Sequence, residues 1–262
     1  MNAGAALPID EALPRIKGAL GARNRLVLAA PPGAGKTTRV PLALLDEEWV
    51  AGRRIIMLEP RRIAARMAAE RMAATLGEKV GGVIGLSTRV DRRVSAKTRI
   101  EVVTDGLFTR RIVSEPDLDG VGAVLFDEFH ERSLAADLGL ALARDVQGAL
   151  REDLRLVLMS ATLDVARIAK TFDASVVESE GRIFPVETIY LGKSPDPIED
   201  QAARAVRRAL REQDGSMLVF LPGMREILRT VERLSDLPAD VILAPLYGAL
   251  PPAEQDRAVT PA

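Results

Sequence analysis

From Arg25 onward the chain alternates short apolar runs with stretches whose apolar side chains recur every three or four positions. The runs Arg25–Ala30, Arg54–Glu59, Arg99–Thr104, Val121–Phe126 and Leu154–Met159 have the length and branching of buried strands. Helical spacing predicts helices over 35–47, 62–76, 106–113 and 133–150. Strands that are apolar throughout and alternate with helices form a mainly parallel sheet covered on both faces, an α/β fold.

Gly and Pro break the pattern at 179–185, and the alternation then restarts. Strands are expected at 186–191, 217–221 and 241–245, and helices at 198–212, 225–234 and 251–259. A doubly wound domain needs about five or six strands. The reading is therefore a complete domain over 1–180 and an incomplete second one over 181–262.

Composition changes this picture little. Of 262 residues, 47% are hydrophobic and 28% charged, with a net charge of −1, so any nucleic acid must be held by local patches. Cysteine is absent, which removes disulfides, thiolate nucleophiles and Cys-based zinc sites. Residues 1–20 do not form a signal peptide, and no run of about 18 apolar residues suggests a membrane span. A soluble, cytoplasmic, monomeric protein is expected.

Three clusters carry chemistry. Ala30-Pro31-Pro32-Gly33-Ala34-Gly35-Lys36-Thr37, continuing to Thr38, follows a strand and opens a helix, as a phosphate-binding loop requires. Gly33 and Gly35 let backbone amides turn toward phosphate oxygens, and the helix N-terminus adds partial positive charge. Lys36 reaches the β- and γ-phosphates, and the Thr37 hydroxyl takes Mg²⁺. Asp127-Glu128-Phe129-His130 ends an apolar strand. There Asp127 holds Mg²⁺ through its water shell and Glu128 deprotonates the attacking water. His130, the single histidine, stands three residues beyond the Mg²⁺ aspartate and can hydrogen-bond toward the next cluster. Ser160-Ala161-Thr162 follows another strand. It is either a helix N-cap or a relay of nucleotide state through Ser160 and Thr162.

This ordered set resembles motifs I, II and III of superfamily 2 helicases, with D-E-x-H pointing to the DEAH side. Glu59-Pro60-Arg61-Arg62 resembles motif Ia, Thr104-Asp105-Gly106 motif Ib, and Leu218–Gly223 motif IV. D-E-F-H-E-R-S and S-E-G-R-I-F-P-V-E-T are similar to the bacterial HrpB-type branch. The resemblance implies a RecA-like P-loop NTPase domain followed by part of a second, an ATP-dependent helicase activity, ATP and Mg²⁺ as cofactors, and a single-stranded nucleic acid, RNA, as partner. It assigns Arg71 to one face of the adenine and places Val259 opposite, a loose grip with weak discrimination among nucleotides. It assigns Arg61, Arg62, Thr104 and Gly106 to a strand backbone, contacts that position without reading sequence. Residues 81–86 lack the aromatic and basic residue usual there. Motifs V and VI do not occur in these 262 residues, so slow turnover by this stretch is expected. A nucleotide and RNA binder without motor activity is the alternative. D-E-F-H with S-A-T, and the restarting second domain, argue against a small-molecule kinase.

Overall fold

The computed structural model describes residues 6–161, 165–181 and 185–259. It divides into two compact units, Met1–Pro185 and Val186–Ala262.

The first unit is an eight-stranded sheet in the order β4-β3-β5-β2-β6-β7-β1-β8. Its strands are β1 (Arg25–Ala29), β2 (Arg54–Glu59), β3 (Ile84–Ser87), β4 (Arg92–Arg93), β5 (Ile100–Thr104), β6 (Val121–Phe126), β7 (Arg155–Ser160) and β8 (Ser175–Glu178). Every pairing is parallel except β3 with β4. Alternate side chains of the central strands enter two separate cores. Leu26, Leu28, Ile55 and Met57 pack under α1 (Leu13–Ala22), α2 (Lys36–Ala43) and α3 (Arg62–Thr75). Val27, Ile56, Leu58 and Phe126 pack under α4 (Asp105–Ser114), α5 (Leu134–Ala149) and α6 (Val165–Phe172). Two helical layers on one parallel sheet explain why the strands carry no polar face.

The five predicted strands and four helices of this unit are present. Unanticipated are α1, the β3–β4 hairpin, α6 and β8. β3 overlaps the glycine-rich stretch 81–86, where glycines conceal the strand pattern. At Gly85 a Cβ would lie 2.7 Å from Thr98 Cγ2, so packing requires the residue that weakens the signal.

The second unit holds α7 (Ile198–Glu212), α8 (Met224–Arg233) and α9 (Pro252–Val259). Its three expected strands are not formed among the described residues. Ala203, Val206 and Leu234 make a small core between α7 and α8, while Val186, Tyr190, Leu218, Phe220 and Ile242 remain exposed. An apolar run becomes a strand only where a neighbour supplies ladder hydrogen bonds and a layer covers it. Here α7 and α8 bury their faces against each other and leave the runs uncovered. Among the described residues no helix is long and apolar enough to cross a membrane.

Candidate active site

Parallel strands present their carboxyl ends along one edge, where ligands of such sheets bind. In sheet order that edge carries Thr104 on β5, Glu59 on β2, Asp127 after β6, Ser160 on β7 and Ala30 after β1.

The loop after β1 is shaped by its glycines and its supports. Gly33 and Gly35 have φ of +77° and +95°, which L side chains rarely adopt. At Gly35 a Cβ would also stand 2.6 Å from Leu7 Cδ1, because the N-terminal turn packs on the loop and Ile9 N donates to Ala34 O at 3.1 Å. Ala30 N donates to Ser160 O at 3.0 Å, tying the loop to the end of β7. A Cβ at Gly181 would press on Pro31, so the stretch after β8 closes on the same loop. Pro32 is exposed, and Thr38 N donates to Gly35 O at 3.2 Å in the first turn of α2.

Lys36 opens α2, is 4% exposed, and donates from Nζ to Glu128 Oε1 at 2.7 Å. Asp127 is buried; its Oδ1 accepts the Glu128 amide at 2.8 Å, and its Oδ2 meets no donor in hydrogen-bonding geometry among the described residues. Burial raises the Asp127 pKa, against the opposing influence of Lys36 and the nearby Thr37 hydroxyl. Glu59, 2% exposed beside Asp127, is pushed up to about 9 by burial and then by the Asp127 charge. Glu128 has φ 46° and ψ 36°, a left-handed conformation unusual for a non-glycine residue and frequent where strain serves function. His130 Nδ1 stands 3.3 Å from Glu128 Oε2 and accepts the Ala161 amide at 3.5 Å, a long contact bridging the second and third clusters. Thr162 lies outside the described residues, and Ser160 is fully buried.

Three acids around one ammonium leave the pocket short of positive charge, and Asp127 Oδ2 is an orphaned acceptor. Among the described residues no group of three or more side chains could chelate a metal unaided. One carboxylate and one hydroxyl, Asp127 and Thr37, is nevertheless a donor set that suits Mg²⁺, which keeps several waters and takes further oxygens from phosphate.

The neighbouring stretch of the edge is exposed and basic. Arg61 occupies the N-cap of α3, and Arg62 its first turn, with no side-chain cap and no acid in that turn. Thr104 is the N-cap of α4, also without a side-chain cap, and is in register with Glu59. Gly106 is exposed, and a Cβ there would meet open space. The N-terminus of α3 is therefore suited to an anion, whereas the first turn of α4 already holds the Asp105 carboxylate. Arg71 is exposed on α3, and among the described residues no hydrogen bond or ion pair joins it to the phosphate-binding loop.

Sequence reasoning gave no role to Glu59, Asp105 or Glu131. Asp105 is buried and accepts the Ser133 hydroxyl at 2.7 Å, while that hydroxyl oxygen caps α5 by accepting Ala136 N. Arg61 donates to Glu131 from Nη2 at 3.1 Å and from Nε at 3.3 Å. An acid closing the otherwise apolar run R-I-I-M-L-E was the available signal for Glu59. Nothing local marks Glu131, whose partner is seventy residues away in the sequence.

A glycine-cradled lysine and an aspartate at one edge of a parallel sheet define a nucleotide-binding α/β protein. Residues 10–171 match the DEAD/DEAH box helicase family, and the chain belongs to it. It is 49% identical over 259 residues to the ATP-dependent RNA helicase HrpB of Escherichia coli strain K12, covering 98% of this chain and 32% of that protein. It is 34% identical over 261 residues to an HrpA homolog of Haemophilus influenzae, covering 97% of this chain and 20% of that protein. Among solved structures it resembles the E. coli DEAH/RHA helicase HrpB at a TM-score of 0.91, with 49% identity over 98% of this chain and 33% of the other. A second E. coli structure, of the DExH-box NTPase HrpB, matches at 0.81 with 48% identity. The chain thus spans about a third or less of the relatives it matches.

Proposed function

We propose that these residues are the ATP-binding part of an ATP-dependent RNA helicase, with a first RecA-like domain over 1–180 and part of a second over 181–262. The observation that carries this reading is the adjacency, on one sheet edge, of Lys36, Asp127 and Glu128 with the exposed Arg61 and the half-buried Thr104. Names of relatives support it, since those proteins are described as ATP-dependent RNA helicases.

In this proposal Asp127 and Thr37 would hold Mg²⁺, which would supply positive charge against the triphosphate. The residues act in sequence. Amides of Gly33–Thr37 take the phosphate oxygens as the loop geometry allows. Lys36 Nζ exchanges Glu128 for a phosphate, and the released Glu128 carboxylate orients the attacking water and takes its proton. His130 stands between Glu128 and Ala161, and its Nδ1, by accepting the Ala161 amide, links the turn to the end of β7. Arg61, Arg62, Thr104 and Gly106 hold phosphates of a single strand, which positions it without reading bases. Arg71, exposed on α3, takes one face of the adenine in this reading.

The test is nucleotide-dependent phosphate release with and without polyuridylate, beside binding of a fluorescent ATP. Mg²⁺-dependent ATP binding with slow, RNA-indifferent release is expected of these 262 residues, and RNA-stimulated release of a chain continued through motifs V and VI. Failure to bind nucleotide, or phosphate transfer to a small molecule indifferent to RNA, overturns the reading.

A further inference from the structure

The turn that carries Glu128 is restrained at both ends. It spans Phe129–Glu131 and is bounded by Glu128 and Arg132, each left-handed, with φ of 46° and 49°. Glu131 N donates to Glu128 O at 2.9 Å, so the two residues are joined through the turn's own backbone. Its middle is fixed, because Phe129 is buried and meets Phe126 edge to face. Its end is fixed too, because Arg132 pairs with Asp137 at 2.9 Å. A short turn pinned in this way has little slack, and its two free carboxylates face opposite halves of the sheet edge. Glu128 holds Lys36, and Glu131 holds Arg61.

We propose that Glu131 is a positioning residue that occupies Arg61 in place of a strand phosphate, so that strand binding at Arg61 removes one restraint on the turn carrying Glu128. The inference rests on the strand-contact reading of Arg61 given above. Its physical basis is the geometry of the guanidinium. Arg61 offers Nε and Nη2 to Glu131, the forked pair of donors that a phosphate would use, so carboxylate and phosphate compete for the same atoms. The Arg61 side chain is 72% exposed, so the pair stands in high dielectric and is readily exchanged. A buried pair would block the strand; an exposed one taxes its binding slightly and links it to the turn. Linkage is reciprocal, so whatever strand binding does to the turn, nucleotide at Lys36 and Glu128 does in return to strand affinity.

The experiment measures anisotropy of a labelled uridine oligonucleotide at about 50 mM salt, where phosphate contacts are strong. Glu131→Gln, which keeps shape and removes charge, is expected to bind the oligonucleotide about two- to fivefold tighter than the parent. Glu131→Asp, with a shortened reach, is expected to fall between them. The deciding comparison is the Arg61→Gln background, where adding Glu131→Gln should produce no gain. Labelled ADP then reports the linkage: its affinity shifts on saturation with oligonucleotide in the parent, and the shift shrinks in Glu131→Gln. Equal or weaker binding by Glu131→Gln overturns the proposal. So does a gain that persists without Arg61, which is the result of general charge removal. A parent that binds no oligonucleotide under these conditions removes the strand-contact reading itself, a result distinguishable from either.

Discussion

The two halves of the sheet edge handle charge in opposite ways. On the nucleotide half, Lys36, Asp127 and Glu59 are each nearly inaccessible to water, and acids outnumber the lysine. On the strand half, Arg61 projects into solvent and shares its charge with a surface glutamate. Burying charge costs heavily unless a partner arrives, so the first half is organised around a ligand that brings positive and phosphate charge together. Exposed ion pairs contribute little and exchange freely, so the second half suits a polymer that slides and lets go. The residues follow the same division: glycines, a lysine and an aspartate under packing constraint on one side, arginines at helix starts on the other.

The sharpest break in this contrast is Lys36→Ala. It removes the one buried lysine or arginine among the described residues and is expected to weaken ATP binding by at least about a hundredfold, since truncating a buried charge partner costs about 3–5 kcal/mol. Fluorescent-nucleotide titration checks it. Glu128→Gln is expected to bind ATP as well as the parent or better, because the neutral amide competes less for Lys36; loss of affinity comparable to Lys36→Ala would contradict the exchange.

The acid surplus has its own signature. The folded chain raises Glu59 from 4.5 to about 9, so it holds a proton that the unfolded chain has released by neutral pH. Stability from that proton is complete below about 4.5 and declines as pH rises toward 9. Glu59→Gln keeps the shape without the titration. It is expected to unfold about 5 °C above the parent at alkaline pH without divalent cations, and to show a flatter profile. Parallel melting profiles for the two would show that Glu59 is not buried as an acid.

On the exposed half the effects shrink. Arg61→Gln is expected to lower single-strand affinity about three- to tenfold and to reduce the salt slope by about 0.7, one phosphate contact. An unchanged slope would remove Arg61 from the interface. Smallest is Ser133→Ala, which deletes the α5 cap and the Asp105 partner together. It is expected to cost about 1 kcal/mol in denaturant unfolding.

How far these halves could be read from sequence follows from the range of their contacts. Lys36 and Asp127 were legible because one opens a helix after a glycine-rich loop and the other follows an apolar strand, and both are local properties. Ser133 was read only as the start of a helix, since its Asp105 partner belongs to another helix. Glu59 was legible only as the last residue of an apolar run, and the sheet order, which sets β2 against β6, makes it a buried neighbour of Asp127. The strand expectations over 186–245 failed for the converse reason. Runs such as L-V-F-L have strand composition, yet a ladder is made by two segments, and composition describes one.

The place of β1 in the sheet has a consequence for synthesis. β1 leads directly into the phosphate-binding loop, yet it pairs only with β7 and β8, Arg25 opposite Leu156 and Leu26 opposite Ser175. On a ribosome it is the first strand of the sheet made and the one that waits longest for a neighbour. At about 5–20 residues per second the wait is on the order of ten seconds. Throughout that interval R-L-V-L-A is an open apolar edge, available to other nascent chains or to a chaperone. The nucleotide loop therefore takes shape at the end of this domain's synthesis, and a ribosome-stalled chain ending before β7 should bind no ATP.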